Sequence, residues 1–257
     1  HEEFGEGRGF PEKKNIFKDV YIYPAAGDDG ASIGAALKSY YSLHDSGEKI
    51  LDIDNSSPYL GTKTNDREIL EALEKYNVTF KKSKNIEKDV AQLLSQNKFI
   101  GWYQGRAEFG PRALGNRSML VDPRQADNKN AVNARIKFRE SFRPFAPSTL
   151  EERASDYFEM MKARSPYMIL AFDVKKDKQK IIPAVTHIDG TARVQTVSKK
   201  VNLRYWNLIN EFGKITGVPV VLNTSFNIMG EPIVNTPEQA IRCFLGCGLD
   251  VLAIEDY

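Results

Sequence analysis

Hydrophobic and polar residues follow each other in patterns that predict a mixture of helices and strands. Polar-capped amphipathic segments and one small-residue segment predict helices at 31–37, 65–76, 85–97, 127–138 and 203–216, and another that opens at Thr236. Short apolar runs predict strands at 20–24, 98–103, 117–121, 145–150, 168–174, 181–185, 192–197, 218–222 and 249–254. Because helices and strands mix without strict repetition, we predict an α/β fold whose sheet has some antiparallel pairing.

Loops and turns separate these elements. The dipeptide Asp189-Gly190 is a strong turn signal and predicts a hairpin between residues 187–188 and 192–197. Residues 45–58 are rich in Asp, Ser, Gly, Asn and Pro and predict a loop or linker, and residues 223–231 predict a polar loop. Gly217 is placed to end the helix before it.

Length and composition describe a globular chain. Its 257 residues, 41% of them hydrophobic, suffice for one large domain or for one domain with an appendage. No apolar run approaches the roughly 20 residues that span a bilayer, and no signal-peptide pattern is present. We therefore expect a soluble protein of the cytoplasm.

The charge distribution points to an anionic ligand. The chain as a whole has a net charge of +2, but residues 106–143 contain seven arginines and two lysines against four acidic residues. Positive charge focused in one window favours a small anion over general affinity for polyanions.

Two segments in this window carry candidate binding groups. In residues 104–118, three glycines free the backbone to approach a ligand, and Arg106, Arg112 and Arg117 supply forked donors for phosphate or carboxylate. Residues 133–148 interleave Lys137, Arg139 and Arg143 with phenylalanines, and Pro144 and Pro147 lock the segment, which is typical of a rigid pocket wall. A plainer interpretation of the first segment is a surface loop whose arginines are solvated. A plainer interpretation of the second is a helix end whose positive charges compensate the helix dipole.

Polar groups elsewhere could complete such a site. Asn223, Ser225 and Asn227 follow a predicted buried strand, where amides and hydroxyls can bind phosphate oxygens, although a structural turn explains them equally well. His187 and Arg193 lie on the predicted hairpin, and an ordinary half-buried histidine is the alternative there.

The two cysteines of the chain, Cys243 and Cys247, are four residues apart. This spacing allows them to coordinate or bridge, but small apolar residues on a buried helical face are the favoured interpretation. The three histidines are scattered, so we expect no structural zinc site.

Taken together, the blocks at 59–61, 104–118, 133–148, 187–197 and 218–234 resemble the C-terminal domain of the NodU/CmcH carbamoyltransferase family. That resemblance implies two domains. Residues 1–57 would be the end of a Kae1-like, actin/Hsp70-related transfer domain with a linker, and residues 58–257 a YrdC-like domain with a twisted mixed sheet and flanking helices.

The resemblance also implies the chemistry. The YrdC-like domain would cleave carbamoyl phosphate to carbamate and adenylylate it with ATP and Mg²⁺. The Kae1-like domain would then transfer the carbamoyl group to a hydroxyl of a small-molecule acceptor near a divalent metal such as iron. Asp28 would ligate that metal with histidines of the missing N-terminal domain, so this chain would not complete the reaction alone.

In this scheme the site residues fall into two groups. The catalytic residues would be Lys137, Arg139 and His187. Carbamoyl phosphate and nucleotide would be bound by Arg106, Arg112, Arg117, Arg143, Arg193, Asn223, Ser225 and Asn227. Two alternatives stay open: a YrdC-like RNA-binding module that uses the basic window, and a non-catalytic homologue.

Overall fold

The computed structural model describes residues 22–43, 57–160 and 164–257. Four of its helices begin at polar side chains that cap their first turns. Asn65, Asn85, Asn202 and Thr236 each accept a backbone N–H there, and Asn65 and Thr236 form complete capping boxes. The α-helices are α1 (Ala31–Leu43), α2 (Asp66–Lys75), α3 (Ile86–Ser95), α4 (Asn128–Val132), α5 (Ala154–Tyr157), α6 (Leu203–Thr216) and α7 (Pro237–Leu245).

The strands form a six-stranded mixed sheet and a two-stranded sheet. They are β1 (Ile100–Tyr103), β2 (Arg117–Val121), β3 (Ala146–Leu150), β4 (Ala171–Asp173), β5 (Thr191–Arg193), β6 (Gln195–Val197), β7 (Val220–Ser225) and β8 (Val251–Ile254). The large sheet has the order β6-β3-β7-β2-β1-β8, in which only the β3–β6 and β1–β8 pairs are parallel. Strands β4 and β5 pair antiparallel.

Apolar clusters cover both faces of the large sheet. On one face, residues of α3 and α6 such as Leu94 and Phe212 join the side chain of Trp102 in β1. On the other face, residues of α2 and α7 such as Ile69 and Ile241 join Tyr103. Every residue of β1, β2 and β3 is buried, as expected for strands covered on both sides.

The predicted α/β class, with a mixed sheet and flanking helices, is confirmed. Within the described ranges, no helix has both the length and the hydrophobicity to cross a bilayer. The prediction that residues 1–57 and 58–257 form two domains stays a prediction, because much of the first range lies outside the described residues.

Some predicted strands and loops are wrong. Residues 181–185 end in a 3-10 turn, Pro183–Val185, because proline cannot donate a ladder hydrogen bond. Residues 22 and 23 are not in a strand, and residues 20 and 21 lie outside the described ranges. The turn at Asp189-Gly190 forms, and His187 donates one backbone hydrogen bond to the Thr191 carbonyl, but the strand ladder of β5 is with β4. Strand β7 continues to Ser225, into the predicted polar loop.

Candidate functional site

The candidate site is built around a change of helical pitch. Helix α4 continues into a π-helical turn, Asn133–Lys137, and the chain then reverses at Phe138, whose φ of 47° is left-handed. This places Lys137 opposite the end of β7. Its Nζ atom donates to the carbonyl oxygens of Ser225 and Asn227, at 2.5 and 2.9 Å. It also contacts Ser225 Oγ at 3.1 Å and Asn227 Oδ1 at 2.8 Å.

Lys137 is a buried amine whose hydrogen-bond partners among the described residues are carbonyl, hydroxyl and amide oxygens and no carboxylate. Only 4% of its surface is exposed. Burial lowers the pKa of Lys137 to about 7, and the neighbouring charge of Arg139 acts in the same direction. The Ser225 hydroxyl also donates to Asn227 Oδ1 at 2.6 Å, so the serine and the asparagine hold each other in place around the amine. The structure therefore brings together three predicted site residues: Lys137, Ser225 and Asn227.

Arg139 is fixed by a residue that the sequence analysis did not select. Its Nε atom donates to Asn133 Oδ1 at 2.8 Å, and its guanidinium lies 4.9 Å from the ring centroid of Phe145. The Asn133 Nδ2 atom donates to the carbonyls of Ser141 and Arg143, at 3.3 and 3.0 Å. Asn133 is 1% exposed, so it ties the π-helical turn to the loop that follows.

Three arginines from separate segments lie near one another, and the charges of two of them lower the pKa of the third. Arg193, at the end of β5, is partly buried, and its pKa is lowered to about 10 by burial and then by the charges of Arg112 and Arg139. Burial also lowers the pKa of Arg112 and of Arg139. Among the described residues, Arg112 and Arg193 form no ion pair, and the buried Nε atom of Arg193 has no hydrogen-bond partner. We call Arg112, Arg139 and Arg193 the arginine cluster.

His187 lies at the edge of the arginine cluster. Its Nδ1 atom is 3.2 Å from Thr191 Oγ1, and its backbone N–H donates to the Thr191 carbonyl. Burial lowers the pKa of His187 below its ordinary value, and the charge of Arg193 acts in the same direction. The imidazole is therefore biased toward the neutral form, which can donate one proton and accept another.

The loop that carries Arg112 is organised by a partly buried carboxylate. Glu108 Oε1 accepts the backbone N–H groups of Leu114, Asn116 and Arg117, at 2.7, 2.8 and 3.1 Å. Gly110, with φ 124°, fits against Pro24, where a Cβ atom would lie 2.7 Å from the Pro24 carbonyl oxygen. Nothing in the sequence around Glu108 indicates this role, because the three N–H groups lie six to nine residues further along the chain.

Arg117 has a structural environment unlike that of the arginine cluster. It is fully buried, and its NH1 and NH2 atoms donate to the carbonyls of Gln104, Asn116, Gly105 and Thr62. Its guanidinium also stacks 3.6 Å from the ring centroid of Tyr103. These donors hold the 104–118 loop together, so they are not presented to a ligand as the sequence analysis expected.

Asn223 is buried inside a polar network that also includes Gln195. Its Nδ2 atom lies 3.0 Å from Ser148 Oγ and from Gln195 Oε1, and 3.2 Å from the Ala113 carbonyl. Its Oδ1 atom is buried and has no partner among the described residues. The network joins the loop before Leu114 to three strands of the large sheet, β3, β6 and β7.

Three other predicted site residues lie on the surface. Arg106 is exposed and donates to the Leu60 carbonyl at 3.1 Å. Arg143 is exposed and pairs with Glu140 at 2.8 Å. Asp28 is exposed in the short 3-10 turn before α1, and the described ranges contain no group of three His, Cys, Asp or Glu side chains that could hold a metal ion.

Comparison with known proteins identifies the family. Residues 91–257 match the family model described as Carbamoyltransferase C-terminus. The chain is 43% identical over 251 residues to nodulation protein NolNO of Sinorhizobium fredii, covering 95% of this chain and 36% of the relative. It is 44% identical to nodulation protein NolO of Bradyrhizobium diazoefficiens, covering 93% and 44%, and 36% identical to nodulation protein U of Rhizobium fredii, covering 90% and 37%.

The chain thus spans less than half the length of these three relatives. Among solved structures, full-length HypF in its phosphate- and nucleotide-bound form is similar with a TM-score of 0.50 at 17% identity. The match covers 69% of this chain and 22% of HypF, and at this identity it shows the fold alone. The family resemblance inferred from the sequence is confirmed: the chain belongs to the carbamoyltransferase C-terminus family.

Proposed function

We propose that this domain binds carbamoyl phosphate and ATP and converts the carbamoyl group to carbamoyl adenylate. A domain outside this chain would then transfer the group to a hydroxyl of a small-molecule acceptor. Family membership supports carbamoyl transfer in general. The observation that carries the proposed site is Arg193, whose buried Nε atom lacks a partner beside two further arginines.

The arginine cluster suits a small anion with several charges. Buried like charges repel each other, and proteins usually pair or neutralise such groups. Here Arg112 and Arg193 have no acidic partner among the described residues, so a ligand phosphate would supply the missing negative charge. Forked guanidinium donors match phosphate oxygens, and hydrogen bonds between charged groups are about twice as strong as neutral ones.

The neighbouring groups fit the chemistry of activation. Lys137, held by Ser225 and Asn227, would stabilise negative charge where the carbamate oxygen attacks the α-phosphate of ATP and pyrophosphate leaves. Arg139 would neutralise the phosphate groups. Neutral His187 would exchange a proton with the phosphate or the amide of carbamoyl phosphate.

Two metal ions would take part, one with ATP and one on the transfer domain. Mg²⁺ would enter with ATP, held mainly by the nucleotide phosphates and by water, as is usual for this ion. Asp28 could add one carboxylate to a metal site whose remaining ligands lie on the upstream domain. Its exposed position is compatible with a partner domain there.

RNA binding has less support. An open basic groove would require unpaired surface cations. In the basic window, Arg117 is fully buried, Arg124 is 2.6 Å from the carboxylate of Asp122, and Arg143 is paired with Glu140. Arg106 and Arg135 stay exposed, but these three arginines are not free to bind a polyanion.

Exchange of labelled pyrophosphate into ATP tests the activation step. We expect exchange that requires carbamoyl phosphate, both in this chain and in the longer protein. Lys137→Met should abolish it, whereas Arg135→Ala, which removes an exposed arginine of the same π-helical turn, should leave it unchanged. No exchange in the longer protein with both substrates present would contradict the adenylate intermediate.

A further inference from the structure

The two cysteines lie directly behind the candidate site. Cys243 is in the last turn of α7 and belongs to the apolar core, with 3% of its surface exposed. Cys247 lies two residues beyond the helix and is only partly buried. Both thiols are free, and they lie close enough for each to shift the pKa of the other. Cys243 lies inside the core, and Cys247 packs against the same core from its edge while keeping part of its side chain exposed.

The backbone permits a bond between them. Residues four apart near a helix end have Cα atoms roughly 6 Å apart, inside the range that disulfides span. Helix α7 ends at Leu245, and the N–H of Cys247 makes only a long contact of 3.5 Å with the Phe244 carbonyl. The chain at Cys247 can therefore adjust to the geometry of a disulfide without breaking helix hydrogen bonds.

The turn that carries Cys247 is attached to the π-helical turn that carries Lys137. The N–H of Gly248 donates to the Arg135 carbonyl at 3.2 Å. A Cβ atom on Gly248 would lie 3.0 Å from the Arg135 Cβ, so the two turns pack without space between them. Movement of Cys247 toward Cys243 would pull on this contact, two residues from Lys137.

We propose that Cys243 and Cys247 form an oxidisable thiol pair, closed by a hydroperoxide, and that its closure loosens the π-helical turn. The Cys247 thiolate attacks the peroxide oxygen, which gives a sulfenic acid and releases an alcohol. The Cys243 sulfur then displaces hydroxide from that sulfenic acid, and its thiol proton completes a water molecule. Two thiols and one hydroperoxide thus give one disulfide, one alcohol and one water.

The electrostatics favour Cys247 as the attacking group. Contact with Cys243 lowers the pKa of the Cys247 thiol, and nearby Lys137 acts in the same direction. The pKa of the buried Cys243 thiol is raised, first by its contact with Cys247 and then by burial. Cys247 is also the more exposed of the two thiols, so a hydroperoxide reaches it first, and the buried Cys243 thiol is placed to resolve the sulfenic acid.

Thiol counting tests the bond itself. Because the chain has two cysteines, every intrachain disulfide must be this one. After treatment with one equivalent of hydrogen peroxide, we expect both thiols to be lost, the mass to fall by two hydrogens and dithiothreitol to reverse both changes. Cys243→Ser should instead give a sulfenic acid at Cys247 that dimedone traps. Should this core variant not fold, Cys247→Ser should keep one unreacted thiol.

Two unchanged thiols, a disulfide between two chains or an oxygen added to one cysteine of the wild type would overturn the proposal.

Hydrogen exchange tests the coupling between the disulfide and the π-helical turn. Oxidation should speed exchange in peptides covering 133–137 and 247–249 of the wild type, but not in Cys247→Ser; unchanged exchange in the oxidised wild type would refute the coupling. Any effect of oxidation on catalysis rests on the proposed function. Thiol counting and hydrogen exchange need no substrate, so a negative result in either would count against the thiol pair and not against the proposed function.

Discussion

The Nζ atom of Lys137 lies 2.8 Å from Oδ1 of Asn227, in a group of four oxygen acceptors that includes no carboxylate. Hydrogen bonds orient the amine, while burial and Arg139 lower its pKa. An amine with a pKa near 7 can take up a proton when an anion binds beside it. The contact between Lys137 and Asn227 therefore places the amine where the proposed reaction needs positive charge.

The first prediction concerns stability and pH. The pKa of Lys137 is about 7 in the folded chain, against about 10.4 in an unfolded one. Between these values the unfolded chain keeps a proton that the folded chain has lost, so this group makes stability rise with pH. From about pH 7 to 9, the free energy of unfolding of the wild type should rise relative to Lys137→Met, by at most about 1.4 kcal/mol per pH unit. Denaturant melts of both proteins across this range measure it; a constant difference would contradict the assigned pKa.

The second prediction separates stability from binding at Arg193. Replacing Arg193 with Met removes a like charge from the arginine cluster, so the free energy of unfolding without ligand should be unchanged or higher by about 1 kcal/mol, the scale of one pKa unit. Stabilisation by added carbamoyl phosphate, measured as a shift in Tm, should be lost. A variant that is clearly destabilised and still responds to the ligand would place Arg193 in a structural role.

The third prediction concerns Glu108. Replacing it with Ala leaves three backbone N–H groups without their acceptor and should cost about 2–4 kcal/mol of stability. Glu108→Gln keeps an acceptor oxygen and should cost less. Glu71→Ala, which breaks an exposed ion pair with Arg67 on α2, is the matched control and should cost about 0.5 kcal/mol or less. Equal losses in Glu108→Ala and Glu71→Ala would show that the carboxylate does not organise the loop.

The fourth prediction contrasts two arginines of the same loop. Arg117→Met leaves several buried carbonyls unsatisfied and should lower the free energy of unfolding by about 3 kcal/mol or more. Arg106→Met removes one exposed contact and should change it by about 0.5 kcal/mol or less. Thermal melts of both variants test the distinction, and a tolerated Arg117→Met would return this residue to the set of ligand-binding candidates.

Local sequence signals predicted the helices well because their determinants are local. Thr236 and Gln239 form the capping box that their spacing indicates, and Gly217 ends α6 with the left-handed φ of 76° expected for a C-cap. The turn at Asp189-Gly190 formed for the same reason. Its strand partner was misassigned, because β5 pairs with a strand that lies about twenty residues upstream.

The candidate site depends on contacts that local patterns do not encode. Lys137 meets Ser225 across 88 residues of sequence, and Asn223 meets Ala113 across 110. Residue types and the family resemblance selected these groups, but they did not distinguish Arg112 and Arg193, which are candidates for ligand binding, from Arg117, which holds a loop together. That distinction depends on burial and on hydrogen-bond partners, which only the folded chain provides.

Calorimetric titration of carbamoyl phosphate into the wild type, Arg193→Ala and Arg135→Ala tests the central claim most directly. We predict that the wild type and Arg135→Ala bind with equal affinity. Arg193→Ala should bind at least about tenfold more weakly, since a hydrogen bond to a charged group contributes about 1.5–3 kcal/mol. Equal affinity in all three proteins, or no binding by the wild type, would contradict the account.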